Sequence, residues 1–273
     1  MAEAIVNGIK IYYERHGDSG EPLVLVHGYT GDQTDWELQI KEFSPSYRVL
    51  VMDLRGHGRS EAPSDRLTYT IEQMASDVEQ LIDQVGFERF HLVGHSMGGA
   101  VVQEIALRSP QKLLSLTLHD TTCFWGVERA DLETALAEAW KKRLELAHDK
   151  GMAAALAVPV DLPKPYMPPE RVRLQEERLL HMSVDGFIGA ITGLSFWKGT
   201  LDRAHNIRAS TLIIYGEGDG ETIIDGSQKL AKLIPNATEI VVPEAMHSPN
   251  WERPELYNEA LRRHLEANPV KAG

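Results

Sequence analysis

The chain has 273 residues, 42% hydrophobic and 25% charged, which suits one α/β domain with an insertion or two smaller domains. Its formal net charge of −12 argues against nucleic acid or an anionic membrane as a partner. The single cysteine, Cys123, excludes a disulfide framework and a multi-cysteine metal site.

The opening stretch "MAEAIVNGIKIYYERHG" shows no basic end followed by an apolar run, so no signal peptide is expected. No apolar segment approaches the ~18 residues that span a bilayer. A cytoplasmic protein is therefore the expectation. Within this stretch Asn7-Gly8, a dipeptide favoured by tight hairpin turns, predicts two short paired strands. "PLVLVHG" (22–28) and "YRVLVMDLRGHG" (47–58) are continuous apolar runs that end in glycine-rich loops. Such runs predict strands covered on both faces, as in a parallel sheet.

The clearest helix is "TIEQMASDVEQLIDQVG" (70–86), where Ile71, Met74, Ala75, Val78, Leu81, Ile82 and Val85 recur at helical spacing. Thr70 with Gln73 offers a capping box, and Gly86 stands where helices commonly stop. A strand "RFHLV" follows, then a helix opening at Ser96 and closing near Ser109-Pro110, then the strand "LLSLTLHD" (113–120). Alternation of strand and helix predicts a doubly wound α/β sheet.

The alternation breaks at Cys123. Up to about Lys198 there are helical stretches and the proline-rich "VPVDLPKPYMPPE", with no buried strand. It resumes with "STLIIYGEGD" (210–219), a helix near 225–234, the strand "TEIVVPEAMH" and a last helix "RPELYNEALRRHLEA". The expected organisation is a core of residues 1–122 and 199–273, with a helical cap of residues 123–198 over the carboxyl edge of the sheet. There is no internal repeat and no low-complexity tract.

Gly94-His95-Ser96-Met97-Gly98 matches G-x-S-x-G and lies between a predicted strand and a predicted helix, the context this pattern requires. A turn that sharp brings backbones too close for a Cβ, hence the glycines. It would hold Ser96 strained, with its Oγ exposed at a helix amino terminus that favours developing negative charge. A serine hydroxyl needs a base to become a nucleophile. His247 lies just beyond the last predicted strand, and Asp219 just beyond the one before it. The order Ser, Asp, His is the one expected for this architecture. Asp225, Glu221 and Asp120, which ends "LTLHD", remain alternative acids.

These pieces identify a resemblance. "LVLVHGYTGDQTDW", "VLVMDLRGHGRS", "LVGHSMGGAVVQEIA", "TLIIYGEGD" and "HSPNWERPELYNEAL" together resemble the α/β-hydrolase superfamily along nearly the whole chain. The look is that of cap-bearing bacterial hydrolases: carboxylesterases, enol-lactonases, acyl-homoserine lactonases and carbon–carbon bond hydrolases. The resemblance implies a mostly parallel eight-stranded sheet with a helical cap inserted after the sixth strand. It implies Ser96 as nucleophile, His247 as base, Asp219 as its orienting acid, and the N–H groups of Tyr29 and Met97 as an oxyanion hole. One departure is that the segment "GDGETIIDG" lacks the proline the family often carries shortly after its acid.

No metal or organic cofactor is implied. His27, His57 and His95 lie at three strand ends, but in turns where the family uses them for packing or loop shape. Cys123 reads as a packing residue at the cap hinge, since no elbow surrounds it. A serine at the elbow, and not an aspartate, argues against epoxide hydrolase and haloalkane dehalogenase chemistry. "HGYTGD" in place of "HGGPG" weakens an aminopeptidase reading, and "GHSMGG" differs from the phenylalanine-bearing elbow of perhydrolases.

The expected activity is hydrolysis of a small to medium carboxylic ester or lactone, by a monomer or homodimer with a small-molecule substrate. The alternatives are cleavage of a carbon–carbon bond in a β-diketone-like ring-cleavage product, and a small-molecule receptor on the same scaffold. For the former, Arg171, Arg173 or Arg178 would bind a substrate carboxylate, although a solvated helix face is their simpler role. Phe124, Trp125, Trp140, Tyr166, Met167, Phe187, Phe196 and Trp197 are set either to line an apolar pocket or to pack the cap.

Overall fold

The computed structural model describes residues 2–124, 135–159 and 164–270. Eight strands form one sheet: β1 (Ala2–Val6), β2 (Ile9–His16), β3 (Pro22–Val26), β4 (Arg48–Met52), β5 (Phe90–His95), β6 (Leu113–His119), β7 (Thr211–Gly216) and β8 (Ala237–Val242). Their spatial order is β1-β2-β4-β3-β5-β6-β7-β8. β1 and β2 pair antiparallel, as does β2 with β4, and the other neighbours are parallel. The hairpin turns at Asn7 and Gly8, both with positive φ, as a two-residue turn between twisted strands demands.

The apolar runs sit in the middle of the sheet because they are covered twice. β3, β6 and β7 are buried at every residue. On one face, α1 (Glu37–Phe43) and α10 (Pro254–Glu266) bring Phe43, Tyr257, Leu261 and Leu265 onto Leu23, Leu25, Val49 and Ile214. On the other face lie α2 (Ile71–Val85), α3 (Met97–Arg108) and α8 (Glu221–Leu233). Their Met74, Leu81, Val101, Ile105 and Leu230 cover Val24, Leu92, Leu116 and Ile213. At α2, Thr70 accepts from the Gln73 N–H at 3.1 Å, while the Gln73 amide turns to Asp77 and completes no reciprocal box. Gly86 ends the helix at φ +79.

The described insertion between β6 and β7 is helical: α4 (Ala135–Lys150), α5 (Met152–Leu156), α6 (Pro169–His181) and α7 (Val184–Phe196). It has a small core of its own, in which Ala147, Met152, Ala155 and Phe187 are buried against Trp140, Leu144 and Leu179. Its two ends meet, since the Thr200 N–H donates to the Cys123 carbonyl at 2.7 Å. Cys123 itself is buried, and burial pushes its thiol up to about 11. A thiol so placed is inert packing.

Two expected boundaries differ. α8 starts at Glu221, four residues before the position expected from the sequence, with Gly220 as its N-cap and Gly226 inside it. A Cβ there would collide with the Thr122 side chain, so that glycine serves close packing. The last helix is preceded by a separate short turn, α9 (Pro249–Glu252). No single helix among the described residues is long and apolar enough to cross a membrane.

Candidate active site

β5 leaves the sheet at His95, and α3 begins at Met97. Ser96 is the one residue between them, held at φ 52 and ψ −115. That conformation is costly for a side-chain-bearing residue and persists only where its surroundings enforce it. The enforcement is visible. The Ser96 N–H donates to the His119 carbonyl at 2.9 Å, and its own carbonyl accepts from Thr121 Oγ1 at 2.8 Å. A Cβ on Gly94 would strike the Gly98 carbonyl, and one on Gly98 would strike the carbonyls of Val26 and His27.

Asp219 and His247 reach this elbow from the ends of β7 and β8. Ser96 Oγ lies 3.0 Å from His247 Nε2, and His247 Nδ1 lies 2.8 Å from Asp219 Oδ2. The acceptor at Nδ1 is a carboxylate, so the proton of the neutral imidazole resides there and Nε2 faces the hydroxyl as a base. Burial raises the Asp219 carboxyl, but the His247 charge and hydrogen bonds from His247 and the Gly220 N–H outweigh it. Asp219 is thus held below the usual carboxylate range. Burial lowers His247, and the Asp219 carboxylate more than offsets that, leaving the imidazole above its ordinary value. Ser96 and His247 remain partly accessible, while Asp219 is closed off.

The other acids stand elsewhere. Asp225 pairs with Lys229 on α8 at 2.8 Å, and Glu221 is exposed in the first turn of that helix. Asp120 is fully buried behind Asp219.

Met97 opens α3, and its N–H belongs to the first turn, where no intrahelical acceptor exists. The loop after β3 is closed by the Gly31 N–H donating to the Gly28 carbonyl, a bond that bypasses the Tyr29 N–H. The Tyr29 side chain turns toward the insertion. Its hydroxyl donates to the Phe187 carbonyl at 2.9 Å, and its ring stacks on Phe187 at 5.6 Å with Trp140 6.2 Å away.

Two positioning groups escape the sequence pattern. His95 Nε2 lies 2.8 Å from the His247 carbonyl, and burial together with the His247 charge lowers its imidazole to about 4. It therefore stays neutral and donates, tying the elbow to the histidine loop. The Glu252 carboxylate accepts the N–H groups of Met246 at 2.7 Å and Ser248 at 3.3 Å, bracketing His247. Its place five residues after the histidine, in the turn opened by Ser248-Pro249, was the available signal.

The three glycine-loop histidines do not share a ligand position. His27 is bonded at both nitrogens, to the Gly28 carbonyl and the Leu54 N–H. His57 Nδ1 meets the Arg55 carbonyl, and burial beside His27 lowers that ring to about 3. Among the described residues, Asp120, Asp219 and His247 are the group whose ligating atoms lie within 4.8 Å of one another.

The insertion's arginines correct the expectation of a solvated face. Arg171 is buried and Arg178 half-buried, and both pair with Asp35; Arg178 also meets Asp32 at 2.9 Å. Arg171 further lies over the Trp251 ring at 4.4 Å. Arg173 alone faces solvent. Of the eight aromatic and methionine side chains singled out, Trp140 and Phe187 gather at Tyr29. Trp197 instead packs in the main core, donating to Glu104 at 2.7 Å, and Phe196 is exposed. Tyr166 lies outside under Arg253, Met167 is buried, and Phe124 rests under Lys229. Trp125 falls outside the described residues.

The model of the alpha/beta hydrolase fold family matches residues 21–254, from β3 to the start of α10. The chain belongs to the α/β-hydrolase family. An enol-lactonase from Burkholderia xenovorans superposes on the hydrolase with a TM-score of 0.85, at 27% identity, over 97% of this chain and 100% of that one. An esterase from Thermogutta terrifontis gives 0.84 at 26% identity, over 98% and 99%. In sequence, the hydrolase is 30% identical over 271 residues to a dihydrolipoyllysine-residue acetyltransferase component of an acetoin cleaving system from Cupriavidus necator. That match covers 96% of this chain and 68% of the relative.

Proposed function

We propose that the hydrolase cleaves carboxylic esters or lactones of small to medium size through an acyl-enzyme on Ser96. His247 takes the Ser96 proton as Oγ attacks the carbonyl carbon, and Asp219 stabilises the imidazolium that results. The carbonyl oxygen, now an oxyanion, receives the N–H groups of Tyr29 and Met97. Collapse expels the alcohol, which takes the proton from His247. Water, deprotonated by the same imidazole, then attacks the acyl carbon and returns Ser96. Residues 123–198 serve as the cap over this site, with Tyr29, Trp140 and Phe187 at the junction.

The observation that carries the reading is the continuous line from Ser96 Oγ through His247 to Asp219, at 3.0 and 2.8 Å, on a backbone strained to present that oxygen. Similarity to a lactonase and an esterase over nearly their full lengths supports the ester or lactone class. The engagement of Arg171 and Arg178 with Asp35 favours it over a reaction whose substrate brings a carboxylate to those arginines.

A panel of p-nitrophenyl esters, acyl-homoserine and aliphatic lactones, and a dienoate ring-cleavage product tests this. Multiple turnovers on a short or medium ester or lactone are expected. Preference for the dienoate would replace the reading with carbon–carbon cleavage, and one slow turnover with retained product would indicate a receptor. On the preferred substrate kcat/KM is expected to rise with pH, because only the neutral imidazole accepts a proton. His247 sits above its ordinary value, so the midpoint belongs above the usual histidine value of about 6.5. A profile flat from acid to alkaline pH contradicts the assignment.

A further inference from the structure

A second carboxyl lies directly behind Asp219. Asp120 directly follows β6, with a positive φ of 44 and no exposed surface. Its Oδ1 accepts the Gly216 N–H at 3.0 Å. Its Oδ2 has no donor aligned with it: His119 Nε2 is 2.9 Å away but off the hydrogen-bonding direction. What Asp120 does meet is Asp219: both carboxyls are buried, and an oxygen of one lies within 4.8 Å of an oxygen of the other.

Two carboxylate charges this near each other in a closed site repel strongly and neither can donate to the other, so one of the pair holds a proton unless a cation lies beside them. Among the described residues, the surroundings offer no cation to replace that proton. His119 is enclosed and held well below its ordinary value by burial and by His95, so its ring is neutral. Tyr257, 3.3 Å from the other nitrogen of His119, and Tyr215 are neutral phenols, and Glu252 adds negative charge. His247, the one group that gains positive charge here, is already matched by Asp219.

We propose that Asp120 is a positioning residue that stays protonated at neutral pH and donates its O–H to Asp219. This rests on reading Ser96, His247 and Asp219 as the catalytic line. Burial, reinforced by the Asp219 charge, pushes the Asp120 carboxyl well above the usual range, in agreement with the geometry. The consequence is a division of labour between like groups. Asp219 keeps its charge in a closed site because a neutral acid solvates it, and the O–H fixes the carboxylate plane that faces His247. Without that donor the Asp219 charge would bear more fully on His247 and raise its basicity.

The test is infrared spectroscopy of protein carrying ¹³C-labelled aspartate carboxyls, read beside kinetics. At neutral pH a protonated-carboxyl C=O band is expected in the wild type, absent in Asp120→Asn. The band is expected to move in Asp219→Asn, where the acceptor of the O–H has changed; this second variant keeps Asp120 and serves if Asp120→Asn fails to fold. Asp120→Asn, whose amide still donates, is expected to leave the acid limb of kcat/KM in place. Asp120→Ala is expected to move that limb upward and lower kcat by about ten- to a hundredfold, the scale of a lost hydrogen bond to a charged group. Absence of the band, or a downward move of the limb in Asp120→Asn, overturns the proposal by showing Asp120 ionised, as it would also be beside a bound divalent cation. Failure of the catalytic reading looks different: no esterase or lactonase turnover with the band intact.

Discussion

Replacing Ser96 by alanine is expected to lower kcat/KM on the preferred ester or lactone by roughly four to six orders of magnitude. The substitution removes one oxygen atom from a turn whose shape is set by other groups. The Ser96 N–H and carbonyl are held by His119 and Thr121, and the crowding at Gly94 and Gly98 is between backbones. The variant therefore keeps its fold and its melting temperature, and the loss reads chemistry alone. Residual rate over the uncatalysed reaction is expected, since backbone donors at Tyr29 and Met97 still polarise the carbonyl toward attack by water. A variant that turns over like the wild type removes Ser96 from the mechanism. The corresponding His247→Ala variant is expected to fall by a similar factor, and the double variant by little more, because the pair acts as a unit.

Replacing Asp35 by asparagine is expected to cost about 3–5 kcal/mol of stability, the usual consequence of stripping one partner from a buried ion pair. Asp35 is the hub between the loop after β3 and the insertion, with Arg171 and Arg178 both bound to its carboxylate. Both guanidinium groups are largely shut from water; in the variant Arg178 would keep Asp32, while Arg171 would keep the Thr34 hydroxyl and lose its carboxylate. Burial raises the Asp35 carboxyl, but Arg178 and Arg171 overcome this and bring it down to about 2. The sign of the pH dependence follows. A carboxyl lowered in the folded state contributes fully above its unfolded value near 4, and that contribution is lost as pH falls toward 2. Denaturant melts at neutral pH and at pH ~3 check both points: the gap between wild type and Asp35→Asn is expected to shrink on acidification. A gap near zero at neutral pH would mean that the clasp is energetically idle.

The strands and the elbow were legible in the sequence for one reason. Strands buried on both faces must be apolar without interruption, and a turn with no room for a Cβ must carry glycine, so β3, β5, β6 and β7 announce both their extent and their ends. The positions of Asp219 and His247 follow from those ends. The helical character of the described part of the insertion, residues 135–159 and 164–196, was legible through its lack of buried strand. What escaped were pairings across long separations. Arg171 finds Asp35 136 residues away and Arg178 finds Asp32 146 residues away, and nothing local to α6 distinguishes them from the exposed Arg173. The close packing of Gly226 also went unseen, because only the approach of Thr122, from a different strand end, explains it. His95 and Glu252 escaped because their partners are backbone groups of the His247 loop, which carry no side-chain identity to match.

Ser96 Oγ is expected to become covalently acylated during turnover. Mass spectrometry of protein acid-quenched during turnover of a p-nitrophenyl ester reads that directly. A gain of one acyl group is expected on the peptide that spans Gly94 to Gly98, decaying as substrate is exhausted, with no gain in Ser96→Ala. An acyl group on any other residue at the same rate as turnover, or sustained turnover by Ser96→Ala, would contradict it.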